Sequence, residues 1–423
     1  MAREALAILV GGGPAPGING VIAAAAIEAL NCDLRAIGIY DGYRDLAAGG
    51  KPKTVELTFD HVSRIHTTGG SILRTSRTNP AKDDATLERC VAVLDTLGIR
   101  YLVCIGGDDT TYGAAKIAER TRGRIGVATV PKTIDNDLPL PDDAPTFGFE
   151  TARSVGAGIL ETIIEDARTT TRWYIVICMG RKSGSLSLGM SSASGATVAV
   201  LPEEFAERTT LASVVDTIVG SIVKQRSLGR EYGVAVVAEG IAERIADDIV
   251  SSAENLGRDS FGHVPLADIP LGTILRDAVR KRLDEIGVKT TIHTKDIGYE
   301  LRCAKPVPFD VDYTRTLGFG AVRYLVGGGS GALIALADGR VKPMKLEDLL
   351  DPSTGRIRTR QVDLTSEAYR VAGAYMVRLE PSDFSDPARI AQLAAQTNLA
   401  PGEFSAEFEY VSTSPPTKKE ARR

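Results

Sequence analysis

Apolar residues along this chain gather into short continuous runs instead of alternating ones. ALAILVGGG (5–13), RAIGIYDGY (35–43), YLVCIGGDD (101–109), IGVATVPKT (125–133), WYIVICMGR (173–181) and YGVAVVAEG (232–240) each reach glycine or proline, and a helical pattern follows. Unbroken runs of this length predict strands covered on both faces, as in a parallel sheet flanked by helices. The intervening stretches are amphipathic. TLERCVAVLDTLG (86–98) is one; another, LGTILRDAVRKRLDEIG (271–287), sets Leu271, Leu275, Val279, Leu283 and Ile286 on one stripe and closes with Gly287. A long helix is expected from about Glu150 to Ala167, leading from a first lobe to a second. ALIALADGRVKPMKL (332–346) predicts a hairpin turning at Asp338-Gly339. The fold class expected is α/β, with two doubly wound, Rossmann-like lobes and mainly parallel sheets. The polar, proline-bearing end STSPPTKKEARR (412–423) reads as a frayed tail.

Composition narrows the function classes. The 423 residues suffice for two or three domains, and a net charge of −4 supplies no basic footprint for nucleic acid. No run approaches the roughly 18 apolar residues of a membrane span, and the N-terminus lacks a signal peptide's pattern. The five cysteines are scattered without the paired spacing of a zinc site, which suggests a reducing, cytoplasmic setting. The four histidines have unrelated spacings, an argument against a histidine-built metal centre.

In doubly wound sheets, ligands bind outside the carboxyl ends of the strands, and the charged clusters of this chain lie there. GGGPAPGING opens an alanine-rich helix; its glycines admit an anion to backbone N–H groups, although neither a Walker ending nor G-x-G-x-x-G spacing is present. IGGDD puts Asp108 where one carboxylate holds a magnesium ion bridging phosphate oxygens. Adjacent Asp109 repels phosphate unless a cation intervenes or the ligand ends there. PKTIDNDLPLP (131–141) sends Lys132, Asp135 and Asp137 out of a buried strand, MGRKSG presents Arg181, VAEG presents Glu239, and GYELR presents Tyr299 and Arg302. Taken singly, each is compatible with a capped turn or a solvated surface. Together they supply cations for a phosphate donor, one metal carboxylate and one unassigned carboxylate, the inventory of phosphoryl transfer to an alcohol.

TIDND after a strand, GGDD, MGR and the glycine loop with APGIN occur in an order that resembles the 6-phosphofructokinase family, from about residue 5 to about residue 335. The resemblance implies a phosphofructokinase-like fold with a phosphate-donor lobe over 1–149, to which about 303–350 returns. It implies a sugar-phosphate lobe over 150–302, followed by a C-terminal helical segment and tail over 351–423. It further implies that Asp135 is the base at the 1-hydroxyl of fructose 6-phosphate, that Asp108 holds Mg²⁺, and that Gly13 offers its backbone to the donor. Thr133, Met179, Gly180, Arg181, Glu239, Tyr299 and Arg302 match sugar-phosphate positions, and Arg77 matches an arginine near the donor. Arg172 matches an arginine that reaches a neighbouring subunit's substrate, which implies a homodimer or homotetramer with shared active sites. The family often carries a second such arginine where this chain has His293; Lys295 or Lys289 is a possible substitute.

Two positions bear on the donor. Asp109 and Lys132 replace the glycines of the ATP-using branch and match the pyrophosphate-dependent branch. The expected reaction is therefore reversible transfer from pyrophosphate to fructose 6-phosphate, giving fructose 1,6-bisphosphate and phosphate, within glycolysis or gluconeogenesis. The alternative is an ATP-dependent 6-phosphofructokinase. A nicotinamide-dinucleotide or lipid kinase would share only the GGD turn. A catalytically silent sugar-phosphate sensor would have lost Asp108 or Asp135, and both are present.

Overall fold

The computed structural model describes residues 3–252 and 269–412. The expected tail from residue 413 onward lies outside them. The described chain divides into two compact units, one of residues 1–152 and 299–360, the other of residues 153–298 and 361–423.

In the first unit, β1 (Ala5–Val10), β2 (Arg35–Ile39), β4 (Ile99–Gly106), β5 (Gly126–Pro131) and β10 (Ala332–Ala337) form the parallel body of a sheet. β3 (Thr54–Glu56) and β11 (Arg340–Lys345) join its two edges antiparallel, giving the order β11-β10-β5-β4-β1-β2-β3. The continuous apolar runs are explained by alternate residues entering two different cores. Leu6, Ile8 and Val10 pack on one face with helices Ile18–Asn31 and Pro308–Val326. Ala5, Ala7 and Leu9 pack on the other with helix Asp84–Thr96 and helix Asp108–Thr121. The hairpin turns where expected: Ala337 pairs with Arg340, and Asp338 and Gly339 both have positive φ, the turn type that matches strand twist.

The second unit holds a sheet of β6 (Trp173–Cys178), β7 (Val198–Val200), β8 (Gly233–Ala238) and β9 (Ile292–Ile297). All four strands are parallel, in the order β7-β8-β6-β9. Trp173, Ile175 and Ile177 of β6 meet the Leu275, Val279 and Leu283 stripe of helix Leu271–Glu285 in one core. Leu379, Leu393, Phe404 and Phe408 pack into that same core, so the C-terminal segment is structural here. The long helix runs from Phe149 to Thr170. Cys90, Cys104 and Cys178 are buried, all five cysteines are free thiols, and burial pushes Cys90 and Cys104 up to about 12. Among the described residues, no helix is long and apolar enough to cross a membrane.

Candidate active site

The carboxyl ends of β1, β4 and β5 converge in the first unit. The loop after β1 is held open by its neighbours: Gly11 N donates to Ile105 O at 2.9 Å, and Gly12 N donates to Ser76 O at 2.8 Å. Thr75 Oγ1 donates to Gly12 O at 2.5 Å. Glycine is required at position 11, where a Cβ would lie 2.3 Å from Thr110 Oγ1, and at 12, where φ is +80°. β4 ends at Gly106, whose carbonyl accepts from Lys132 N at 2.9 Å, so β4 and β5 leave the sheet tied together.

That tie fixes the direction of Lys132. Its side chain is only 4% exposed, and Nζ donates to Gly13 O at 2.5 Å. Burial pulls its ammonium down to about 8; the nearby carboxylates of Asp135, Asp137 and Asp108 oppose that fall, and Arg302 adds to it. A cation is thus set under the glycine loop, surrounded by three carboxylates and a guanidinium. Arg302, from the short helix Tyr299–Arg302, brings its guanidinium carbon within 3.6 Å of where a Gly13 Cβ would stand. Its guanidinium also lies over the Tyr299 ring, 5.0 Å from the centroid, and Tyr299 is 75% exposed.

Asp108 and Asp109 open helix Asp108–Thr121, and Asp108 Oδ1 accepts from Asp109 N at 2.9 Å. Carboxylates in a first turn are favoured by the helix dipole, so both residues have a structural reason to be there as well as a chemical one. Asp109 and Arg77 are exposed, Asp108 is half-buried. Thr133 caps the next turn: its Oγ1 accepts from Asp135 N at 3.0 Å, and its carbonyl accepts from Thr146 Oγ1 at 2.7 Å. Asn136, between the two aspartates, has φ of +56°. This left-handed residue turns the chain between Asp135 and Asp137.

The second unit carries the other expected residues. Met179, Gly180 and Arg181 follow β6, and Glu239 follows β8. Glu239 N donates to Cys178 O at 2.8 Å, and Glu239 Oε1 accepts from Gly180 N at 3.3 Å. Gly180 has φ of +135°, and a Cβ at Gly240 would stand 2.4 Å from Arg181 O, so close backbone approach shapes this rim. Arg172 lies at the opposite end of β6. The six-residue strand between the two arginines separates them by roughly 20 Å at 3.3 Å per residue. Arg172 Nη1 is instead 3.3 Å from His293 Nε2, at the start of neighbouring β9.

The structure therefore gathers Gly13, Asp108, Asp109, Lys132, Thr133, Asp135 and Arg302 around one rim and Met179, Gly180, Arg181 and Glu239 around another. Arg172 stands apart from both. Thr75 and Arg360, which hold the glycine loop and the Asn136 turn, were missed from the sequence; no local motif marks either. A hollow of about 920 Å³ lined by Asp83, Tyr112, Lys116, Arg120 and Arg122 contains none of the expected residues; two of its three cations are paired, Lys116 with Glu119 and Arg120 with Asp84 and Glu88.

Among the described residues, no three His, Cys, Asp or Glu side chains cluster as a metal cage. Asp108 fits the other arrangement available to magnesium, in which one or two carboxylates and substrate phosphates share the ion with water.

The phosphofructokinase family model matches residues 5–325. A Thermotoga maritima protein named pyrophosphate–fructose 6-phosphate 1-phosphotransferase is 50% identical over 97% of this chain and 100% of its own length. A Naegleria fowleri protein of the same name is 45% identical over 96% of this chain and 95% of its own. Among solved structures, a pyrophosphate-dependent phosphofructokinase from Nitrosospira multiformis aligns with a TM-score of 0.66 at 18% identity, covering 89% of this chain and 92% of its own. At that identity the likeness is one of fold, and it agrees with the α/β class expected from the apolar runs.

Proposed function

This chain belongs to the phosphofructokinase family, and from that premise we infer that it transfers a phosphoryl group from pyrophosphate to the 1-hydroxyl of fructose 6-phosphate. The observation that carries the choice of donor is Lys132, buried and aimed at Gly13 O beneath the glycine loop, with Asp109 exposed at the adjacent helix start. Two relatives that carry the name of this reaction over nearly their whole length support it.

In this reading Asp135 accepts the proton of the 1-hydroxyl. The freed oxygen attacks the terminal phosphorus of pyrophosphate, and the bond to the bridging oxygen breaks. Lys132 faces the charge that builds on the departing phosphate, where a desolvated cation is worth far more than in water. Gly13 orients the donor through its backbone. Mg²⁺, held by Asp108, would supply charge neutralisation across the phosphate oxygens. Asp109 marks the end of the donor: its carboxylate opposes a further phosphate, so ATP is disfavoured. Because the entering and leaving phosphates resemble one another chemically, the reaction runs readily in both directions.

Thr133, Met179, Gly180, Arg181, Glu239, Tyr299 and Arg302 position the sugar phosphate, while Gly13, Asp108 and Lys132 serve the donor. Arg77 assists at the donor. Arg172, a strand's length from Arg181, serves the substrate of a neighbouring subunit in a homodimer or homotetramer. The deciding experiment is kcat/KM for pyrophosphate and for ATP at fixed fructose 6-phosphate and magnesium. A preference for ATP would overturn the donor assignment, and no activity with either would overturn the reaction.

A further inference from the structure

The turn that carries Asp135 is gripped by a side chain from more than two hundred residues away, beyond the last residue matched by the family model. Arg360 Nε donates to Asn136 O at 3.0 Å and Nη1 donates to Ala144 O at 3.0 Å, while Nη2 bonds Asn136 Oδ1. Its backbone N donates to Asp137 O at 2.8 Å. Asn136 Oδ1 also accepts from Thr146 N at 3.0 Å, so one asparagine side chain joins both limbs of the turn to the guanidinium.

Three features make this more than a surface contact. First, Asn136 occupies left-handed backbone at φ +56°, a conformation asparagine adopts more readily than most residues, and here both its carbonyl and its side chain are bonded to Arg360. Second, the acceptors are two carbonyls and an amide oxygen spread around a planar fork, an arrangement a lysine cannot reproduce. Third, the approach of Arg360 is itself fixed. Ile357, three residues earlier, is buried in a cluster with Leu138, Leu140, Leu346 and Leu349, and Arg358 N donates to Leu349 O at 3.0 Å. Leu138 and Leu140 directly follow the turn, so the segment that delivers Arg360 is packed on the chain it grips.

We propose that Arg360 is a positioning residue for catalysis, setting through Asn136 the direction in which Asp135 meets the substrate hydroxyl. This rests on Asp135 being the base. The hydrogen bonds of this half-buried guanidinium go to neutral acceptors of the turn, and the carboxylates that feel its charge, Asp137 and Asp143, are not the base. Its effect is therefore on geometry: loss of the fork lets the turn sample other conformations and lowers the fraction of encounters in which Asp135 is aligned.

The test uses the full chain with Arg360→Ala, Arg360→Lys and Asp135→Asn, alone and combined. Misalignment of a reacting group by about 1 Å costs on the order of 10²-fold, so Arg360→Ala should lower kcat by roughly that factor. KM for pyrophosphate should stay within about threefold, because the loop–Lys132 cradle is untouched. Arg360→Lys should recover thermal stability but not kcat, and free guanidinium ion should restore part of kcat to the alanine variant alone. Arg360→Ala on the Asp135→Asn background should cost little further, since both act on one step. Amide exchange at Asp135 and Thr146 should quicken by about tenfold or more in Arg360→Ala. Unchanged exchange there, a wild-type kcat, or full additivity with Asp135→Asn each overturn the inference. The separate failure of the base assignment shows as wild-type kcat in Asp135→Asn itself, with the exchange result still reporting what Arg360 holds.

Discussion

The rims of the two sheets are built on opposite plans. In the first unit, the groups nearest the strand ends are backbone or withdrawn charge: Gly13, Lys132 at 4% exposure, and half-buried Asp135 on a turn fixed from both sides, with Asp109, Arg77 and Tyr299 exposed farther out. In the second, Arg181 is exposed, Glu239 is half-buried, and the rim is shaped by glycines at 180 and 240. The first plan costs stability, because a desolvated ammonium loses hydration that its neighbours only partly replace. What it gains is an electrostatic field already oriented before a ligand arrives. The second plan leaves long side chains free to close on a ligand, which suits recognition of a substrate whose reacting atom lies elsewhere. Chemistry is expected to be sensitive to small changes at the first rim, and affinity to changes at the second.

The largest break in that contrast comes from Asp135→Asn, which keeps shape and removes the proton acceptor. We expect kcat to fall roughly 10²–10⁴-fold with little change in fructose 6-phosphate binding. Steady-state kinetics beside a binding isotherm would check it, and a parallel loss of binding would assign Asp135 to recognition instead.

Lys132→Met tests the cost of the first plan directly. Pyrophosphate kcat/KM should fall by about 10²-fold, since a cation facing the leaving phosphate is lost. Stability should move the other way. The folded ammonium titrates at about 8, below its ordinary 10.5, so between these values the unfolded chain binds more protons. Wild-type stability therefore rises as pH climbs through that window, and below it the buried charge is a standing penalty. Removing it should stabilise the protein at pH 7 by on the order of 1–3 kcal/mol, less the bond to Gly13 O, and should flatten the rise above pH 8. Denaturant melts at pH 7 and 10 would show both; a destabilised variant at pH 7 would mean the bond outweighs the charge.

Sequence periodicity revealed the body of both sheets because strands covered on two faces leave continuous apolar runs. It did not reveal β9, whose residues IHTKDI bury only their ends, or the three-residue strands β3 and β7. β3 and β9 face solvent along much of their length, so their patterns are weak, whereas β7 is fully buried and too short to stand out. The site was legible where chemistry is local, as at Gly106–Asp109 and Lys132–Asp137. It was not legible at Thr75 or Arg360, whose partners are 63 and 224 residues distant and whose residue types are ordinary. Nor could periodicity show that Arg172 and Arg181 stand at opposite ends of one strand, since that follows only from where the strand begins and stops.

A smaller effect is expected at Asp109, which is exposed and therefore partly screened. A carboxylate about 4 Å from a further phosphate costs a few kcal/mol at an effective dielectric near 20, and exposure reduces that. Asp109→Gly should shift the ratio of kcat/KM for ATP over pyrophosphate by about tenfold toward ATP. It should also lose about 1 kcal/mol of stability, as a first-turn carboxylate gives way to glycine. An unchanged donor ratio with the expected stability loss would confine Asp109 to capping the helix.

The smallest effects belong to the pair at the far end of β6, and they decide whether the second rim is complete within one chain. Arg172 carries its charge permanently and has only donors, so its contact with His293 uses the lone pair of Nε2. The histidine thereby orients the guanidinium, and the exposed pair can present a planar fork to a phosphate from outside the chain. A charge-assisted hydrogen bond is worth about 1–3 kcal/mol, so Arg172→Ala should raise KM for fructose 6-phosphate by about tenfold. His293→Ala, which removes only the orienting partner, should raise it by about threefold. Neither should alter KM for pyrophosphate. Oligomers mixed from Asp135→Asn chains and Arg172→Ala chains should turn over fructose 6-phosphate at some sites with the wild-type KM, because one kind of hybrid site keeps both residues. If all turnover by verified hybrids shows the raised KM of the Arg172→Ala parent, Arg172 acts within its own chain, and the strand that separates it from Arg181 rules out a common ligand for the two.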